Sequence, residues 1–159
     1  MIVSAIAKIR AGSFKLIMVV AILVPVGILA AESARFIRIV TLPTKQTVVI
    51  AEGESEARSL GSYSVRLYQP AAAEDQTTFF TDGLIRSRDG FIENVVLEDI
   101  NLDAMPEIVV LIRSVGSGGY RSGYAFTFDT QNIVEVMSVS GLPADTDVLQ
   151  ALRSQVALK

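Results

Sequence analysis

Cysteine and histidine are both missing from this 159-residue chain. Without cysteine the fold has no disulfides and must be held by its own core; a lipobox, and with it a lipid anchor, is excluded as well. Without histidine a Ser-His-Asp or Cys-His nucleophile system cannot be built, and a typical zinc site loses its usual ligands. Lysine is scarce beyond residue 33, where only Lys45 and Lys159 remain, so a Ser-Lys dyad would have to use Lys45. Positive charge is in deficit too. The chain has 14 basic and 17 acidic residues, and the first 33 positions hold three of the basic and one of the acidic, so the remainder carries 11 against 16, a net charge of −5. An acidic surface argues against nucleic acid or anionic lipid as a partner and favours encounter with a basic one. There is no internal repeat and no low-complexity tract; Ala71, Ala72 and Ala73 form only a short loop segment.

What is present begins with a leader. Lys8, Arg10 and Lys15 make a positive n-region, and residues 16–31 are apolar apart from the interruptions of Pro25 and Gly27. The run is short for a membrane span, which needs ~20 apolar residues, and suits the h-region of a signal peptide. Small residues follow at Ala30, Ala31, Ser33 and Ala34, so residues 1–33 are expected to be a signal peptide cleaved after Ala30 or Ser33. An uncleaved signal anchor is the alternative. Export, with no stable membrane anchor after cleavage, is the expectation. Residues 34–159 then form a single domain, long enough to bury a sufficient core unaided.

That domain reads as β-branched and aromatic runs punctuated by turn residues. Residues 36–42 and 46–51 are separated by Pro43. Between positions 62 and 68, Tyr63, Val65 and Leu67 alternate with Ser64, Arg66 and Tyr68, the pattern of a half-buried strand. Runs at 79–85 and 91–100 flank Arg88, Asp89 and Gly90, where Asp-Gly predicts a hairpin. The five apolar residues from Ile108 to Ile112 predict a central strand covered on both faces. Tyr124, Phe126 and Phe128 share a face of the next strand, and 129–132 turns into a strand at 133–139. Only the end looks helical, opened by Pro143 and Asp145, with Val148, Ala151 and Leu152 on one side. The expected fold is all-β, an antiparallel sandwich or flattened barrel of about seven or eight strands with a short C-terminal helix.

Acidic residues raise two chemical readings. A carboxylate-pair glycosidase is formally open, but Glu52, Glu54 and Glu56 alternate along what reads as an exposed edge or loop, where a solvated face is the simpler account. Asp99, Asn101, Asp103 and Glu107 resemble the start of a calcium loop, with oxygen ligands at alternate positions. The match is incomplete: Ala104 stands where the sharp turn needs glycine, and Glu107 comes at the ninth position, not the twelfth. A polar connection between two buried strands explains the segment without a metal.

The glycine-rich segment after the most hydrophobic run is more informative. Ser117, Gly118, Gly119 and Tyr120 follow Gly116, placing three glycines within four residues, so the backbone can take positive φ and approach another surface closely. Ser117 supplies a hydroxyl, Tyr120 a rigid ring with a polar tip and Arg121 a forked cation. Together they suit a carboxylate-lined cleft shaped for sugars. A plain hairpin is the bland alternative, and the Gly-Lys-Ser/Thr ending of a phosphate loop is missing.

Four segments resemble periplasmic inhibitors of invertebrate-type lysozyme. They are residues 57–68 (ARSLGSYSVRLY), 97–99 (LED) running into 106–110 (PEIVV), 113–120 (RSVGSGGY) and 139–143 (VSGLP). The resemblance runs in family order from about residue 47 to 153 and is specific in combination. It implies an antiparallel β-sandwich-like protein of the bacterial periplasm, without enzymatic activity or cofactor, with lysozyme as partner and a tendency to form homodimers. It further implies that a Ser-Gly-x-Tyr loop enters the lysozyme cleft, which maps here onto Ser117, Gly118 and Tyr120 with Gly119 at the variable position. The connection from Asp99 to Glu107 departs from the Gly-rich, Asp-rich character expected. The competing expectation is a calcium- or glycan-binding envelope domain that leaves lysozyme active.

Overall fold

The computed structural model describes residues 34–156; the expected leader and its cleavage site lie outside them. The strands are β1 (Ile37–Thr41), β2 (Thr47–Glu52), β3 (Leu60–Tyr68), β4 (Phe80–Asp89), β5 (Phe91–Glu98), β6 (Glu107–Arg113), β7 (Arg121–Phe128) and β8 (Ile133–Leu142), followed by one helix, α1 (Val148–Val156). They form two four-stranded sheets, β1-β2-β3-β4 and β5-β6-β7-β8. Every pairing is antiparallel. The sheets stay open, so the sandwich alternative holds and the barrel does not.

Alternation in the sequence becomes alternation between two cores. From the first sheet, Val48, Ile50, Tyr63, Val65 and Leu67 face the space between the sheets, where they meet Ile92, Ile108, Val110, Ile112 and Phe126. The other face of β6 supplies Val109 and Leu111 to a second core with Val139, Val148 and Leu152, beneath α1. Strand β6 is thus covered on both faces, as its uninterrupted apolar run requires. Each such side chain, fully withdrawn from water, contributes ~1.5–3 kcal/mol. The helix starts later than Pro143 and Asp145 implied. Thr146 N donates to Pro143 O at 3.0 Å, closing a turn, and the Asp147 carboxylate caps α1 by accepting from Gln150 N at 3.1 Å.

The Asp-Gly signal does not make a hairpin. Strand β4 pairs with β3 as far as Asp89 opposite Leu60, and β5 pairs with β6, so Gly90 is a corner between the sheets. Buried Arg88 explains this. Its guanidinium donates to the carbonyls of Ser62, Arg58, Ala57 and Gly90, and Gly90 N donates to Ser59 O at 2.7 Å. The corner is therefore tied to the 57–62 segment. Gly90 has φ +104°, and a Cβ there would lie 2.0 Å from Arg113 O, so only glycine fits.

Glu52 is likewise not on an exposed edge. It is 5% exposed, accepts from Ile92 N at 2.7 Å and lies 3.8 Å from Arg88 Nε, which joins β2 to the second sheet. Glu56 accepts from the Ser62 hydroxyl at 2.7 Å and from Ser62 N. Those bonds to Ser62, foremost the backbone one, hold its carboxyl below the usual range. Only Glu54 of the three fits the solvated reading. At the other end of the sandwich Arg86 meets Glu135 at 2.7 Å, and Asp82 accepts from Ile133 N at 2.9 Å.

Candidate functional site: the loop between β6 and β7

Strands β6 and β7 are the central pair of the second sheet, and the glycine-rich segment connects them. The neck is closed by Ser114 N donating to Tyr120 O at 2.8 Å, and the tip is turned by Gly119 N donating to Gly116 O at 2.9 Å. Gly119 takes the left-handed conformation, φ +53°, which glycine adopts without the strain of a side chain. A Cβ on Gly118 would lie 2.5 Å from Cε2 of Tyr120, so the tyrosine ring rests against the turn it follows. Ser117 is exposed at the tip, and Tyr120 is 54% exposed. A hydroxyl and an aromatic ring thus project from a hydrogen-bonded loop.

Arg121 sits differently from its neighbours in sequence. It begins β7 and lies opposite Arg113, the last residue of β6. Glu93 of β5 joins both arginines. Its Oε1 accepts from Arg113 Nε at 3.0 Å and meets Nη2 at 2.9 Å, while Oε2 accepts from Arg121 Nε at 3.1 Å and Nη2 at 2.9 Å. Arg121 also donates to Thr146 O at 3.2 Å. Burial pushes the Glu93 carboxyl up, but hydrogen bonds and charge from Arg121 and Arg113 outweigh it, leaving the carboxyl below its usual range. The result is an Arg-Glu-Arg bracket across the loop's neck. Sequence reasoning missed Glu93, because only the strand order brings β5 to that neck.

The calcium-like segment uses its oxygens internally. Asp99 accepts from the backbone N–H groups of Leu102 at 2.7 Å, Asp103 at 3.2 Å and Ala104 at 2.9 Å. Asp103 accepts from Met105 N at 2.8 Å, and buried Glu107 accepts from Ile100 N and from the Asn101 amide, both at 2.8 Å. Leu102 and Ala104 adopt φ near +64° and +70°, shaped by these Asx-type bonds. Among the described residues no three acidic side chains converge to hold a metal.

Fold and site together define the class: an all-β protein of two open antiparallel sheets, with a hydrogen-bonded, polar-tipped loop between β6 and β7. Residues 34–156 match the family model described as periplasmic lysozyme inhibitor of I-type lysozyme, and the chain belongs to that family of inhibitors, which are not enzymes. The crystal structure of PliI-Ah, periplasmic lysozyme inhibitor of I-type lysozyme from Aeromonas hydrophila, is similar at 42% identity and a TM-score of 0.70, covering 74% of this chain and 98% of that one. Aeromonas hydrophila PliI in complex with Meretrix lusoria lysozyme is similar at 42% identity and a TM-score of 0.69, covering 74% and 95%. No curated protein matches the chain.

Proposed function

We propose that this chain inhibits I-type lysozyme reversibly by inserting the 117–120 loop into the active-site cleft. Ser117 hydrogen-bonds a catalytic carboxylate, and Tyr120 fills the cleft and excludes water. Gly118 and Gly119 let the backbone pass between the walls. Arg121, with its guanidinium engaged by Glu93, acts on the neck of the loop and not at its tip. The observation that carries this reading is the exposure of Ser117 and Tyr120 on a turn closed by its own backbone bonds. Such pre-ordering lowers the entropy lost on binding. The relative solved with Meretrix lusoria lysozyme supports the choice of partner.

Residues 1–33 direct export and are removed, leaving a periplasmic protein without a membrane anchor, and the mature chain associates as a homodimer. Lysis of peptidoglycan followed by turbidity tests the loop. Ser117→Ala and Tyr120→Ala should each weaken binding by about 2 kcal/mol, as hot-spot truncations do. Unchanged inhibition by both variants would mean that the loop does not enter the cleft.

A further inference from the structure

Beside the loop, an open depression of about 310 Å³ is lined by Asp89, Ser114, Tyr120, Ser122, Tyr124 and Ser140 among others. It draws on both sheets: Asp89 ends β4, while Ser122, Tyr124 and Ser140 belong to β7 and β8. Its polar groups are hydroxyls and one carboxylate. Glu93, Glu98 and Glu135 each have an arginine partner. Asp89 is exposed, and its carboxylate has no hydrogen bond or ion pair among the described residues. The nearby Arg113 and Arg88 are committed to Glu93 and to backbone carbonyls.

We propose that this depression is an accessory site for a basic side chain, lysine or arginine, from the rim of the lysozyme cleft, with Asp89 as counter-ion. The inference rests on the loop-insertion reading, since Tyr120 lines both the loop and the depression and would carry the site to the rim. An ammonium or guanidinium group brings only donors, and the carboxylate and three serine hydroxyls offer acceptors. The side chains of Tyr120 and Tyr124 line the depression as well. The Tyr124 hydroxyl is pushed up first by burial and then by Glu135 and Asp89, consistent with a negative field there. The volume lies at the lower end of ligand pockets, roughly 300–1,000 Å³, and suits one side-chain head.

The test uses the full chain carrying Asp89→Asn, Asp89→Lys, Ser117→Ala or Tyr120→Ala, with binding to Meretrix lusoria lysozyme measured at low and physiological salt. Asp89→Asn should weaken binding about tenfold and Asp89→Lys more, with a flatter salt dependence and unchanged thermal melting. Wild-type affinity in both Asp89 variants, alongside loss of binding in Tyr120→Ala, would overturn the accessory site and leave the loop reading standing. Wild-type affinity in Tyr120→Ala and in Ser117→Ala alike would overturn both. Binding of chitotriose to the inhibitor alone, abolished by Asp89→Asn, would make the depression a glycan site and would also overturn the proposal.

Discussion

Replacing Glu93 by alanine removes the acceptor shared by Arg113 and Arg121 and leaves two guanidinium groups facing each other across β6 and β7. The side chains of Glu93, Arg113 and Arg121 are 26%, 34% and 23% exposed, so each pair is screened in part by water. Exposed ion pairs contribute ~0.2–1 kcal/mol, and these two, each with two N–H groups on one oxygen, belong at the upper end. The expected loss of stability is therefore about 1–2 kcal/mol, with cross-strand repulsion included. Thermal melting should fall by about 4–8 °C for a domain of this size. The loss should concentrate at the loop. Hydrogen exchange at the amides of Ser114 and Gly119, which donate to Tyr120 and Gly116, should accelerate more than exchange in β2 or β3. Affinity for lysozyme should fall with it, because a looser loop loses more entropy on entering the cleft. Unchanged exchange at those two amides in Glu93→Ala, or unchanged affinity despite faster exchange, would refute the bracket's role.

The same carboxylate sets a pH dependence. Its folded pKa lies below the ordinary value of 4.5, so its stabilisation is fully present above that value and is lost as pH falls through the lower folded one. The stability difference between wild type and Glu93→Gln should be constant near neutrality and shrink below pH 4.5, as urea unfolding across pH can check. Glu56 and Asp129 are also lowered and steepen both curves, so the difference between them isolates Glu93. Arg88→Met should cost about 3–5 kcal/mol in denaturant unfolding, because it strands the buried Glu52 carboxylate and four backbone carbonyls of the corner. Millimolar calcium, or chelation by EDTA, should leave the melting temperature unchanged, since Asp99 and Glu107 already accept from backbone N–H groups.

Where burial produces periodicity, the sequence carried the fold. Alternation at Tyr63, Val65 and Leu67 reports one buried face, and the unbroken run from Ile108 to Ile112 reports two. Long-range partners leave no such trace. Asp-Gly marks a reversal but not which strands pair across it, and the corner at Gly90 depends on where the Arg88 guanidinium is satisfied. The burial of Glu52 depends on Ile92 N, forty residues away. At the site, three clustered glycines located the loop and its exposed Ser117 and Tyr120. The clamp on Arg121 was not legible, because Glu93 reaches the neck only once β5 lies beside β6.

Competition with a sugar ligand tests loop insertion most directly. Wild-type inhibitor is titrated into Meretrix lusoria lysozyme with and without saturating chitotriose in the active-site cleft, and the apparent affinity is read by calorimetry. Insertion of the 117–120 loop predicts an apparent Kd that rises linearly with free sugar concentration, by a factor of one plus that concentration divided by the sugar's own dissociation constant. An affinity that stays the same when the cleft is full would mean that the inhibitor binds elsewhere and that Ser117 and Tyr120 do not enter the active site.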